Sequence, residues 1–545
     1  VTSTPRPRPG GTSRRRVLAG ALAALAGSSR SQATVVGAAS LSIDDTAPGR
    51  PISPYIYGSN EIGVMDRGLP SAVLDARAGI AARRLGGDLM TGYNWLNNAS
   101  HAGKNHRHSN GAFLLEALQI PPGDWQRPAV IIEAMHEASL AMGARSLVTL
   151  PLAPVVAGDF LGPVAEVEAG TSRRFSAVDW TLQGGGMAGT SIPDLLRHLM
   201  RRYGDAASGR GIHAYALDNE PGIWFQTHPR LFPQRPTIAG FIARSVAVAR
   251  VIKTLDPGAQ VFGPASWGAT EFVSFQDAPD WPAYRRYGTF LAAYLDAFRI
   301  ASEQAGMRLL DALDVHWYAF HRKGGLFRSE DPQLDQARLD APRSLTEQGF
   351  VEDSWVPRAF GHSRETLALP ILPALQHLIA RWFPGTGLAI TEFNYGGAGQ
   401  LTSGLALADA LGRFGAAGVD FATHWGSLPG WLGEAYRLFR LADAGGRRFG
   451  DRMLTAAGRL PAGVVACAAA DAAGPTLVLI NKTSAPATLD IGLASHRIFS
   501  PGEALGFDAA TPATGPVMGE ERPQAGGWRL TLPPRAARRY AFSYA

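Results

Sequence analysis

The chain has 545 residues, 46% of them hydrophobic, and a formal net charge of +6. That length and apolar content exclude a disordered or fibrous chain and predict one large domain with a smaller one, or two to three of ordinary size. The charge does not mark a nucleic-acid partner. Arg6, Arg8, Arg14, Arg15, Arg16 and Arg30 all fall in residues 1–33, which hold no Lys, Asp or Glu and so carry the whole excess.

Residues 1–33 read as a twin-arginine-type export signal: Ser13 to Arg16, an apolar stretch from Val17 to Gly27, and small residues around Ser31 and Ala33 suited to cleavage. The apolar stretch is too short to span a bilayer, so a periplasmic or extracellular protein with no membrane partner is expected. Residues 34–50 should supply a strand or strands to a later β-domain. From 51 to 435, short apolar runs alternate with amphipathic stretches such as Ile192 to Tyr203 and Gly240 to Leu255. This is the pattern of repeated strand–helix units. The strand candidates are Ile52 to Asn60, Ala81 to Gly87, Arg145 to Leu152, His213 to Glu220, Ala259 to Ser266, Asp311 to Tyr318, Gly387 to Phe393 and Val419 to Trp425. Eight of them predict an α/β fold, a (β/α)8 TIM-like barrel. A doubly wound open sheet is the alternative, but no Gly-rich phosphate loop follows the first run. Over 436–545 the helical period fades, and short runs at Gly463 to Ala468, Thr476 to Asn481, Thr488 to Ile491, Arg497 to Phe499, Trp528 to Leu532 and Arg539 to Phe542 predict a C-terminal β-sandwich. Cys467, the single cysteine, excludes an intramolecular disulfide and a Cys-clustered zinc site.

Several barrel runs end on residues suited to sugar chemistry: Asn60, Arg84 with Asp88, Glu220, His316 with Tyr318, Glu392 and Trp425. In HAYALDNEPGIWFQTHP, from His213, an apolar run closes on Asn219-Glu220-Pro221; in GLAITEFNY, from Gly387, another closes on Glu392. Either glutamate alone reads equally well as a salt-bridge or cap residue. Together, in matching contexts, they form the carboxyl pair that glycoside hydrolysis needs. His101, His106 and His108 lie close in sequence but read as a surface loop rather than a metal site.

With these segments in hand, the chain resembles glycoside hydrolase family 44 from about Ile52 to Asp451. The most specific portion is PGTGLAITEFNYGGAGQLTSGLALADALGRFGAAGVDFATHW, Pro384 to Trp425, supported by RRLGGDLMTGYNWLNNASHAGKNH from Arg83, LDNEPGIWFQTHP from Leu217 and LDVHWYAFH from Leu313. The resemblance implies an exported endo-glycanase cleaving β-1,4-glucans with retention, with Glu220 as acid/base and Glu392 as nucleophile. It further implies Arg84 holding Glu392 anionic, Asn219 binding the sugar 2-hydroxyl, His316 and Tyr318 orienting the carboxylates or the −1 sugar, and Trp425, with Trp95 and Trp224, stacking on pyranose faces. The expected partner is a polysaccharide or oligosaccharide, with no nucleic acid, and a monomer is expected. No cofactor is expected for catalysis. A structural calcium belongs to the family picture, but no Asp-x-Asp-x-Asp loop places its ligands. Leu85 and Asp88 stand where the family pattern has an aromatic residue and an Asn, which leaves xylan, mannan or arabinoside cleavage open. A non-catalytic carbohydrate-binding barrel is disfavoured by the presence of Glu220, Glu392 and Asn219 together.

Overall fold

The computed structural model describes residues 39–544 other than 61–64, 67–68, 183–189, 362–366, 518–519 and 525; the expected export signal at 1–33 lies outside the described residues. Eight parallel strands close a barrel: β1 (Gly58–Asn60), β2 (Ala82–Leu85), β3 (Arg145–Leu150), β4 (Ala214–Leu217), β5 (Gln260–Ser266), β6 (Ala312–His316), β7 (Gly387–Phe393) and β8 (Phe421–Trp425). Each lies within one of the expected runs. The first run is cut short because Pro54 opens a 3-10 turn, Pro54–Ile56, capped by the Ser53 hydroxyl.

Alternation along each strand sorts the barrel into layers. Ala82, Leu147, Ala214, Ala216, Phe262, Ala312, Ala389 and Phe421 point inward as an apolar floor, packed from below by Tyr55. The same parity, continued toward the strand C-termini, points Arg84, His316 and Trp425 into the barrel mouth. It also turns Leu85 outward, where it is buried with the apolar layer between strands and helices. Leu85 therefore does not shape the cleft floor, contrary to the expectation drawn from the family pattern.

Two sheets form the additional domain, one antiparallel and one antiparallel except for a single parallel pair. One is centred on Val464–Asp471, Gly474–Asn481 and Ala536–Tyr544; the other contains Ala487–Leu493, Gly527–Leu532 and the N-terminal strand Ser40–Ile43. Ser40–Ile43 runs parallel to Ala487–Leu493 and antiparallel to Ala456–Arg459. Leu41, Ile43, Leu477, Leu479, Leu489, Leu530 and Phe542 fill the space between the sheets. The helix Trp431–Arg440 runs through the boundary expected at 436, because Leu432, Ala435, Tyr436, Leu438 and Phe439 keep one buried apolar face. Trp528 is half-buried and its indole N–H donates to Phe499 O at 2.7 Å.

The sandwich is joined to the barrel by a buried cation. Lys482 follows the strand Gly474–Asn481 and donates to Asp409, on the barrel helix Leu401–Ala417, and to the Leu339 carbonyl at 2.7 Å. Arg413 supports Asp409 from the next helical turn at 2.8 Å. Removing the ammonium leaves a buried carboxylate with one cation fewer. Lys482→Ala is expected to cost about 3 kcal/mol of stability, measured by urea unfolding; an unchanged midpoint would show that this contact carries no net stability.

Candidate active site

The site is built by departures from regular strand geometry. After β4 the chain takes left-handed backbone at Asp218 (φ 66°) and Glu220 (φ 47°), which non-glycine residues adopt only when their surroundings enforce it. The enforcement is visible. The Asp218 carboxylate accepts from the Thr91 hydroxyl at 2.6 Å and from the backbone N–H groups of Leu152 and Asn219 at 2.5 and 2.7 Å. The Glu220 N–H donates to Ala265 O at 2.9 Å, and Ala265 is itself left-handed (φ 53°). On the opposite wall the β6–β7 register shifts so that His316 pairs with Glu392, skipping Thr391. A bulge of this kind turns Glu392 into the barrel mouth.

These features bring the polar side chains together. Arg84 Nη1 donates to Glu392 Oε1 at 2.7 Å and Nη2 to Asn219 Oδ1 at 2.8 Å. The Tyr318 hydroxyl donates to Glu392 Oε2 at 2.6 Å. His316 Nδ1 lies 2.9 Å from Glu220 Oε1 and 3.4 Å from Glu392 Oε2. One oxygen of each glutamate and one nitrogen of His316 all fall within 4.8 Å of one another.

Environment separates the two carboxyls. Burial raises both above the ordinary range, but Glu220 also meets the negative charges of Glu392, Asp88 and Glu271, and so rises well above it. For Glu392 the rise is opposed by the Arg84 guanidinium and the Tyr318 hydrogen bond. Glu220 therefore holds a proton more tightly than Glu392, whose ionised form Arg84 and Tyr318 favour. Burial and Arg84 push His316 well below its usual range, so its imidazole is neutral. Burial and the carboxylates keep the Tyr318 phenol protonated.

Glu220, His316 and Glu392 offer three ligand atoms, yet Arg84 already supplies the cation at Glu392, and a divalent ion there would face a guanidinium. Among the described residues of the loop after β3, calcium finds no better set. Asp159 and Glu168 do converge there, at 2.8 and 3.1 Å, but on the guanidinium of Arg174, which also donates to the carbonyls of Gly162 and Pro163. These oxygens fit a planar guanidinium rather than a calcium ion.

Of the residues expected from sequence, Glu220, Glu392, Asn219, Arg84, His316 and Tyr318 meet in one cluster, and Trp425 stands half-exposed at its edge with its ring against Gly87. Four placements need correction. Arg84 has no exposure and lies behind the carboxylates, so it holds Glu392 and Asn219 without reaching a sugar. Trp224 is 1% exposed, stacked on Phe232 at 4.2 Å, with its N–H on Asn219 O; Trp95 is 7% exposed, with its N–H on Ser191 O. Neither indole offers a face to a ligand. His101 is not on a surface loop either, being buried with Nδ1 at 2.8 Å from Asn110 Oδ1. Sequence reasoning missed the ring of Phe327, 4.6 Å from that of Tyr318, which sits in a loop with no strand-end signal. It placed Asp88 among the strand-end residues suited to sugar chemistry but gave it no role.

A model of glycoside hydrolase family 44 matches residues 91–320, which include Glu220 and His316 but not Arg84 or Glu392. The solved structure of a Paenibacillus polymyxa xyloglucanase from family 44, with xyloglucan, superposes with a TM-score of 0.84 at 33% identity, over 93% of this chain and 99% of that one. The chain belongs to glycoside hydrolase family 44. The family 44 endoglucanase Cel44A of Clostridium thermocellum matches comparably, with a TM-score of 0.84 and 34% identity over 92% of this chain and 99% of that one. Endoglucanase A of Paenibacillus lautus is 37% identical over 475 residues, 84% of this chain and 66% of that protein. The β-mannanase/endoglucanase A of Caldicellulosiruptor saccharolyticus is 36% identical, and this chain spans 36% of its length.

In a family 44 hydrolase, Arg84 should matter through Glu392. Arg84→Gln is expected to lower kcat/KM by about 10²-fold or more and to move the acidic limb of the pH profile to higher pH, because Glu392 loses the cation that opposes its rise. Hydrolysis of an aryl glycoside across pH checks both; an unmoved limb would show that Arg84 does not tune Glu392.

Proposed function

We propose that this chain hydrolyses β-1,4-linked glucan chains, such as soluble cellulose derivatives and xyloglucan, by double displacement with retention of configuration. The observation that carries the reading is the approach of the two carboxyls, with oxygens within 4.8 Å of one another. Retaining pairs stand about 5–5.5 Å apart, whereas inverting pairs leave about 6.5–9.5 Å for a water. Glu220 gives its proton to the departing glycosidic oxygen while a Glu392 oxygen attacks the anomeric carbon. Water then attacks that carbon, Glu220 takes the water's proton, and the bond to Glu392 breaks.

The neighbours support these roles. Arg84 and Tyr318 stabilise the carboxylate of Glu392 before attack and again as it leaves. Asn219 is fixed by Arg84 through its Oδ1, which leaves its Nδ2 to donate to the sugar 2-hydroxyl as charge develops on the ring. Trp425 is the stacking platform for a pyranose face. The two glutamates supply both proton and nucleophile, so the chemistry calls for no cofactor. No described helix is long and apolar enough to cross a membrane. A polymeric substrate and the composition of residues 1–33 support export to the periplasm or outside the cell.

The test is reducing-sugar release from carboxymethyl cellulose, xyloglucan, mixed-linkage glucan, xylan and mannan, with the first-formed anomer followed by NMR. Glucan-selective release with the β-anomer first is expected, and Glu392→Gln should lower it by at least about 10³-fold. An α-anomer formed first, or undiminished turnover in the variant, would sink the reading. Release confined to xylan or mannan would keep the mechanism and change the sugar.

A further inference from the structure

Beyond the two glutamates a third carboxyl reaches the cleft. Asp88 opens the turn after β2, immediately past Gly87, on which the Trp425 ring rests; a Cβ at Gly87 would lie 2.4 Å from that ring. Asp88 Oδ1 lies 3.5 Å from Asn219 Nδ2 and Oδ2 lies 3.4 Å from Asn105 Nδ2. Its carbonyl is held by His228 Nε2 at 3.0 Å. Burial raises the Asp88 carboxyl above its ordinary range, and His106, from the loop between β2 and β3, Arg328, from the loop between β6 and β7, and the Asn219 amide oppose that rise. Two amide donors, a guanidinium and an imidazole around one half-buried carboxyl favour its charged form against the burial.

We propose that Asp88 is a third working carboxylate of this cleft, a positioning residue that acts through Glu220 and Glu392 and not on the glycosidic bond itself. The inference rests on the reading of Glu220 as acid/base and Glu392 as nucleophile. Asp88's charge falls on both glutamates and raises both, alongside the burial, Glu271 and Arg84 effects described above. Its particular value is persistence. When Glu392 attacks the anomeric carbon it becomes a neutral ester, and its charge no longer lifts Glu220. Asp88 forms no bond in either step, so neither step consumes its charge. It therefore keeps Glu220 basic enough to take a proton from the water that attacks the same carbon and breaks the Glu392 ester.

This role has a signature that a structural or sugar-contacting role lacks. Removing a charge that raises both groups lowers both, so the bell-shaped dependence of kcat/KM on pH moves as a whole toward acid instead of losing height alone. Asp88→Asn and Asp88→Ala in the full chain should each displace both limbs downward by about one pH unit, with thermal unfolding unchanged. Asn keeps the shape and Ala does not, so agreement between them assigns the displacement to charge. Limbs that stay in place while only KM or the height of the bell changes would overturn the proposal, as would a displacement of one limb alone. Loss of the parent reading is separately visible, because Glu392→Gln would then retain turnover whatever Asp88 does.

Discussion

Burying a guanidinium costs several kcal/mol unless its charge and its N–H groups are matched. Arg84 has no exposure, and its two terminal nitrogens are spent on Glu392 and Asn219. The cleft is organised around meeting that demand. Glu392 supplies the counter-charge, and Arg84 in turn opposes the rise that burial imposes on it. Asn219 supplies a neutral acceptor, which fixes the amide in one orientation and aims its nitrogen at the cleft. A charge that is expensive to bury thereby dictates the ionisation of one neighbour and the rotamer of another.

Meeting it requires side chains from β2, β4 and β7 to converge, and regular parallel strands would not bring them there. Parity places Arg84 inside without further help, since Ala82 two residues earlier forms the floor. Glu392 follows Thr391 and would point outward if β7 ran regularly; the register shift against β6 turns it back. Glu220 lies beyond the end of β4 and is aimed by left-handed backbone at Asp218 and at its own position. The strain is confined to segments tied by Asp218 and by the Glu220–Ala265 hydrogen bond. A rigid floor of small residues below and tethered irregular backbone above is how the barrel gives loops the precision of strands.

The sequence made the barrel legible because several of its apolar runs end on polar residues that an apolar core would not tolerate unused. That same signal found Arg84, Asn219, Glu220, His316, Tyr318 and Glu392. It failed for the aromatic residues. Trp95, Trp224 and Trp425 carry the same local signature, an indole near a strand end, and only packing distinguishes them. Trp224 turns under its own loop to stack on Phe232, whereas Trp425 lies over a glycine with one side open. Leu85 shows the converse. Its place in a motif ties it to substrate choice, although strand parity alone, one residue past Arg84, assigns it to the outer layer. The bulge in β7 and the left-handed turn after β4 have no sequence mark, because both are imposed by neighbouring strands.

Electrostatics explains why the acidic residues of this cleft tolerate one another. Glu220, Glu392 and Asp88 stand close together, and only Glu392 is in direct contact with a buried cation. Like charges in a poorly solvated space raise one another's proton affinity until one of them stays protonated. That group is the one without its own cation, and at Glu220 the nearest polar partner is a neutral imidazole, 2.9 Å away. The proposed acid is thus marked by what it lacks: Arg84 is committed to its neighbour, Arg328 acts on Asp88, and His316 is kept neutral by burial and by Arg84. Division of labour between chemically identical carboxyls follows from the placement of two arginines. The same reasoning makes the spacing between Glu220 and Glu392 a consequence of the fold, because Arg84 fixes one carboxylate and His316 bridges toward the other.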